Sequence, residues 1–251
     1  MTEFCESFGN DELQKIKIFR WNKNVDKNVI FVHGGAWRDP SNTFDDFQDF
    51  AKHLIETTNC NVFGLNYRLS PEFKHPYHLI DVVQGLNHLY EHFGVSKVHL
   101  IGHSVGATLL LQVLNAKDTI ERGLVNLSGN IDDIVVLNTS IEIEALFLID
   151  GIYDIPGLIE EYPGYISFVK DAFISPKHYT DGTDIYNHQS YPKLIIIQSL
   201  QDELLSLQQT HLLQSHLDKL NIQYSLHSGE WGLHEQVYRT KQVFNLISDN
   251  I

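Results

Sequence analysis

Short uninterrupted apolar runs recur along the chain and alternate with longer stretches in which apolar residues return every three or four positions. Val29-Ile-Phe-Val32, Asn61-Val-Phe-Gly-Leu65, Lys97-Val-His-Leu-Ile101, Ala145-Leu-Phe-Leu-Ile149 and Lys193–Ser199 have the length and the β-branched content of strands buried on both faces. Phe44–Glu56, Leu79–Phe93, Ala107–Leu114, Leu204–Leu220 and Glu235–Ile247 carry helical spacing; in the first, Phe47, Phe50, Ala51, Leu54 and Ile55 share one face. Gln14–Trp21 alternates Lys15, Ile16, Lys17 and Ile18, which predicts a half-exposed edge strand, and Gln223–His227 reads as a last strand. Strand and helix alternate throughout. That order predicts an α/β fold, a mostly parallel central sheet with helices on both faces.

Two stretches fit the pattern less well. Asn115–Glu144 is polar and irregular apart from an apolar island at Ile131–Leu137, and it receives no assignment. The stretch 151–190 holds Pro156, Gly157, Pro163, Gly164 and Pro176 among many aromatic side chains. Linkers seldom carry so many aromatics, so a small cap inserted in the domain is expected there. A length of 251 residues suits one large α/β domain.

The formal net charge of −14 disfavours nucleic acid and anionic membrane surfaces as partners, because both would repel the chain. Cys5 and Cys60 are too few for a disulfide framework or a zinc site, and no metal or cofactor is expected. Met1–Asn10 has Glu3 and Glu6 and no apolar core, and no apolar run reaches the roughly 18 residues of a membrane helix. A cytoplasmic protein is therefore expected, with a homodimer left open.

The candidate chemistry begins where the Lys97–Ile101 run hands over, through Gly102-His-Ser-Val-Gly106, to the helical run after it. In a nucleophile elbow the serine sits at the apex of a strained strand-to-helix turn, and the flanking glycines let the two backbones pass. Ser104 is the candidate nucleophile. Acid and base must then follow in chain order, on loops after later strands. Asp202 and Glu203 follow the Lys193–Ser199 strand, whereas Asp150 and Asp154 follow Ala145–Ile149. Asp202 has the better position for the acid. It also suits a plain N-cap for the helix near Leu204, and Asp150 suits a structural carboxylate at a strand end. Among 14 histidines, His234 alone lies after the last strand and just ahead of the last helix, where the base belongs. His33-Gly34-Gly35-Ala36-Trp37 follows a buried strand, the place from which such a fold supplies oxyanion-hole amides. The backbone N–H groups of Gly34, Gly35 and Ala36, with that of Val105, are the candidate donors. Arg68 is expected to be a structural cation paired with Asp81 or Glu72.

Taken together, His33-Gly-Gly-Ala-Trp37, Gly102-His-Ser-Val-Gly106, Asp150-Gly-Ile-Tyr153, Asp202-Glu-Leu-Leu205 and Leu233-His234 with Val237-Tyr238 resemble the fungal kynurenine formamidases of the α/β-hydrolase superfamily. The tryptophan after the glycine pair separates this loop from the three-glycine version of related lipases and esterases, which share Tyr67-Arg-Leu-Ser-Pro-Glu72. The resemblance implies Ser104, Asp202 and His234 as a catalytic triad and N-formyl-L-kynurenine as substrate, cleaved to L-kynurenine and formate. It also implies Trp37 beside the substrate. Tyr153 is a further aromatic candidate for contact. The short N-terminus leaves little room for the antiparallel hairpin with which many such sheets begin, so a missing strand is expected. A short-acyl carboxylesterase and a noncatalytic binding protein of the same fold remain as alternatives.

Overall fold

The computed structural model describes residues 3–185 and 191–251. Its strands are β1 (Phe4–Ser7), β2 (Lys15–Arg20), β3 (Asn28–Val32), β4 (Asn61–Leu65), β5 (Lys97–His103), β6 (Glu142–Ile149), β7 (Lys193–Ser199) and β8 (Tyr224–Gly229). They form one sheet in the order β1-β2-β4-β3-β5-β6-β7-β8. β1 and β2 run antiparallel to their neighbours, and every pairing from β4 to β8 is parallel.

Both faces of the sheet are covered, which is why its strands read as continuous apolar runs. In β3, Val29 and Phe31 point to one face and Ile30 and Val32 to the other. One face carries α2 (Tyr77–Phe93), α3 (Val105–Val113), α4 (Ala116–Leu127) and α7 (Leu207–Lys219), whose Leu86, Leu110, Ile120 and Leu213 pack with Ile30, Leu100 and Ile196. The other carries α1 (Gln48–Thr57) and α8 (Lys241–Ser248), whose Phe50, Leu54, Val243 and Ile247 pack with Phe31, Phe147 and Ile195. Two short helices, α5 (Ile155–Glu161) and α6 (Ile166–Ala172), lie in the expected cap segment, of which residues 186–190 fall outside the described residues. Their Ile155, Leu158, Phe168 and Val169 form a third apolar cluster with Trp37, Val105 and Leu205.

The structure corrects the expectation of a missing first strand. Four residues suffice for it, with Phe4 opposite Ile18 and Ser7 opposite Lys15. β1 is largely exposed at the sheet edge, so it carries no apolar pattern to read. The unassigned stretch 115–144 contains α4, which buries only Ala116, Thr119, Ile120, Gly123 and Leu124. The last predicted helix is broken: Val237–Arg239 makes a single 3₁₀ turn, and Thr240, extended, opens α8 with its hydroxyl. α7 likewise starts at Leu207 behind a Ser206 cap and not near Leu204.

Candidate active site

Ser104 stands between β5 and α3 with φ 53° and ψ −121°. An L-residue at positive φ is strained, and it holds this geometry only because its surroundings over-determine it. Its N–H donates to the Ile149 carbonyl at 2.9 Å, which ties the turn to the end of β6. A Cβ on Gly106 would come within 2.2 Å of the Val32 carbonyl oxygen, so only glycine lets α3 approach β3.

The loop after β3 passes directly against the elbow. A Cβ at Gly34 would lie 2.9 Å from His103 Nδ1 and 3.0 Å from the Ser104 Cβ. Gly35, Ala36 and Trp37 all have positive φ, at 88°, 50° and 60°. Three consecutive left-handed residues, two of them with side chains, need external support, and two side chains supply it. Tyr67 Oη donates to the carbonyls of His33 (3.1 Å) and Gly34 (2.8 Å) while its ring stacks on His33 at 4.4 Å. Trp37 is wholly buried against Phe168 and Phe173.

Asp202 and His234 meet at 2.7 Å through Oδ2 and Nδ1. Both side chains are buried, at 0% and 3% exposure. The other oxygen of Asp202 accepts the N–H groups of Leu204 (2.8 Å) and Leu205 (2.9 Å). One oxygen of Asp202 thus closes a turn, not the helix N-terminus expected near Leu204, where Ser206 is the cap of α7, and the other grips the imidazole. Burial works against the charged form of His234, but the hydrogen bond and charge of Asp202, with Asp150 and Glu235 behind, outweigh it and raise its pKa above 6.5. The base loop is fixed at two further points. His234 N–H donates to Glu203 Oε2 at 2.8 Å, and His103 Nε2 donates to the His234 carbonyl at 3.0 Å.

Ser104 and His234 line one cavity of ≈ 260 Å³, along with Gly35, Ala36, Ile152 and Leu205. The sequence-predicted serine, acid, histidine and loop are therefore brought together. Trp37 and Tyr153 are not. Neither lines the cavity, and both are fully buried. Trp37 is driven inward because the left-handed backbone turns its indole into the third apolar cluster. Tyr153 is fixed beneath the sheet end, its N–H on Gln209 Oε1 at 2.8 Å and its ring over Gly151, whose added Cβ would meet it at 2.4 Å. Arg68 is structural, as expected: its Nη2 meets Asp81 Oδ1 at 2.6 Å and its backbone N–H meets Oδ2 at 2.8 Å.

Asp150 lies behind the pair. It is fully buried, with φ 42°, and its Oδ1 accepts Ser199 N–H at 2.7 Å. Its Oδ2 has no partner among the described residues. Carboxylate oxygens of Asp150 and Asp202 and a ring nitrogen of His234 lie within 4.8 Å of one another. Burial, reinforced by the negative charge of Asp202, pushes the Asp150 pKa well above 3.8. Although this trio has metal-ligand chemistry, His234 Nδ1 is already committed to Asp202.

Sequence reasoning passed over Tyr67 and His103, and took Glu203 only as an alternative acid, not as a support of the base loop. Tyr67 was recoverable: Val32 pairs with Leu65 in parallel register, so the residue two beyond Leu65 runs beside the residue two beyond Val32, which is Gly34. The other two carry no local signal, because each acts on a loop some thirty or more residues away.

The strand order, the strained serine and the loop packed against it define a protein of the α/β-hydrolase fold. A family model described by that fold matches residues 29–216. The chain is similar to the kynurenine formamidase of Meyerozyma guilliermondii, at 45% identity over 97% of this chain and 92% of the relative. It is 39% identical to that of Scheffersomyces stipitis over the full length of both, and 34% identical to that of Saccharomyces cerevisiae over 92% of this chain and 90% of the relative. The chain belongs to the kynurenine formamidase family. Among solved structures, esterase B of Lactobacillus rhamnosis superposes with a TM-score of 0.72 over 99% of this chain and 88% of its own, at 16% identity, a likeness of fold. No helix among the described residues is long and apolar enough to cross a membrane.

Proposed function

We propose that this chain is a serine hydrolase that cleaves the formamide of N-formyl-L-kynurenine to L-kynurenine and formate, with Ser104, Asp202 and His234 as its triad. The observation that carries the reading is that a serine on a strained elbow and a histidine held through Nδ1 by a buried carboxylate open onto one cavity, in a chain with full-length kynurenine formamidase relatives. Nδ1 is the protonated nitrogen, since Asp202 can only accept there when ionised, which leaves Nε2 free as the base.

Ser104 Oγ attacks the formyl carbon as His234 Nε2 takes its proton, and the C–O bond forms while the carbonyl electrons move onto oxygen. The Val105 N–H and, of the three loop candidates, those of Gly35 and Ala36, which line the cavity as Gly34 does not, receive that oxyanion, each donor being worth about 2.7–4 kcal/mol in the transition state. Collapse breaks the C–N bond, His234 hands its proton to the departing aryl amine, and a formyl ester remains on Ser104. Water, deprotonated by His234, repeats the attack and releases formate with the serine restored.

Side-by-side rates on N-formyl-L-kynurenine and on a short-acyl p-nitrophenyl ester test the reading. The formamide is expected to have the higher kcat/KM, and Ser104→Ala to lose activity on both by up to about a millionfold while remaining folded by circular dichroism. Rapid ester turnover with no formate from the formamide would refute the substrate. A folded Ser104→Ala protein that keeps more than about one per cent of its rate would remove Ser104 from the mechanism.

A further inference from the structure

The formyl group is too small to supply much binding energy, so the remainder of the substrate must be recognised at the mouth of the cavity. That mouth is unusually ionic for an apolar pocket: Arg38, Asp39 and Glu235 stand on it, around the rings of Tyr165 and Phe168. The charges are held by separate sets of contacts. Arg38 leans toward α6, with its guanidinium 5.9 Å from the Phe168 ring and Nη1 on Asp171 Oδ2 at 2.7 Å. Asp39 and Glu235 are both neighbours of Asn42, where Asn42 Nδ2 donates to Glu235 at 3.3 Å and a Cβ on Gly35 would meet both Asn42 and the Asp39 carbonyl.

Each of these groups has capacity left among the described residues. Among the described residues Arg38 hydrogen-bonds through Nη1 alone, so the Nε–Nη2 edge of the fork is open for a second carboxylate. Asp39 accepts both Ser41 groups on Oδ1, leaving Oδ2, and Glu235 accepts Tyr238 and Asn42 on Oε2, leaving Oε1. The Ser41 hydrogen bonds also hold the Asp39 carboxyl below its ordinary pKa, so it is ionised at neutral pH. A pocket for a neutral acyl ester has no use for such a ring of opposite charges. A free α-amino acid has use for both signs.

Resting on the formamidase reading, we propose that the cavity mouth is an α-amino-acid subsite: Arg38 pairs with the substrate α-carboxylate, and Asp39 with Glu235 holds its α-ammonium, while Tyr165 and Phe168 flank the aryl ketone. The two charge contacts, with the ring contact as a third point, hold three substituents of the α-carbon, which fixes the chirality of the substrate and delivers the aryl formamide to Ser104.

The test compares N-formyl-L-kynurenine, its D-enantiomer and 2-formamidoacetophenone, which keeps the ring, ketone and formamide but lacks the amino-acid end. Wild type is expected to favour the L-amino acid over both probes through KM. Arg38→Gln is expected to raise KM for N-formyl-L-kynurenine by about ten- to a hundredfold, far more than for 2-formamidoacetophenone, with Arg38→Lys recovering part of the loss. Asp39→Asn combined with Glu235→Gln should erode the preference for L over D. Calorimetric binding of L-kynurenine to Ser104→Ala, weakened by added Arg38→Gln, reads the same subsite without turnover. Equal losses on the charged and neutral formamides, or unchanged L-kynurenine binding, would overturn the subsite and leave the formamidase reading standing. Failure of wild type on every formamide would overturn that reading first.

Discussion

His103 Nε2 donates to the backbone carbonyl of His234 at 3.0 Å, so the residue before the elbow serine holds the loop that carries the histidine. The same ring packs on the His234 imidazole, with centroids 4.5 Å apart, and on Tyr238 at 4.6 Å. Burial first, and then the neighbouring His234, push its pKa well below 6.5, so it stays a neutral donor while His234 is free to take a proton. Ser104 and His234 are thereby linked through the His103 side chain that lies between them, independently of any contact between their own side chains.

Because Asp202 raises the His234 pKa, the acid limb of kcat/KM is expected to have its midpoint above 6.5. Only the neutral imidazole accepts the serine proton, so activity rises with pH through that midpoint. Asp202→Asn should move the midpoint down and lower kcat by about ten-thousandfold, since the amide favours the wrong tautomer. A pH–rate profile of both proteins checks it; an unmoved midpoint would free the limb from His234.

Tyr67→Phe is expected to cut kcat by about ten- to a hundredfold with little change in KM, short of the loss from deleting an oxyanion donor outright. The ring stack on His33 survives, but two buried carbonyls lose their shared donor and the loop relaxes. Steady-state rates together with a melting curve separate this from general unfolding, which would lower active fraction without a selective effect on kcat.

Trp37→Ala is expected to destabilise the protein by about 3–5 kcal/mol, because a fully buried indole is lost from between Val105, Phe168 and Phe173. Since the indole does not line the cavity, activity on formyl and acetyl aryl substrates should fall in the same proportion. A relative gain for acetyl would return Trp37 to the side of the substrate.

Asp150→Asn is expected to leave turnover largely intact and to stabilise the fold at neutral and higher pH. The native carboxyl has a folded pKa well above its ordinary 3.8, so its contribution is complete below 3.8 and is lost as pH rises toward the folded value. Asparagine can still accept from Ser199 N–H and carries no charge beside Asp202. Melting temperatures of the two proteins should diverge as pH rises above 3.8; a variant less stable at pH 8 would show that the ionised carboxylate is needed.

The sequence by itself determined the parallel strands of the sheet and the candidates for the chemistry, because both are written in short-range patterns. Buried parallel strands demand unbroken apolar runs, as in Val29–Val32 and Lys193–Ser199. The elbow and the loop after β3 announce themselves through glycines that close backbone approach requires at Gly34 and Gly106. Strand order then limits the candidates for acid and base to loops after late strands, which was enough to pick Asp202 and His234, two side chains that meet at 2.7 Å. Only the tertiary structure decided which aromatic residues meet the cavity, since direction in a left-handed turn is not encoded in residue type: Trp37 faces the core and Tyr165 the opening. It also decided the supports, Tyr67 beneath the loop and His103 and Glu203 on the base loop, because a hydrogen bond to backbone asks nothing distinctive of the sequence at its far end. An edge strand such as β1, exposed and paired on one side, carries too little burial to leave a pattern at all.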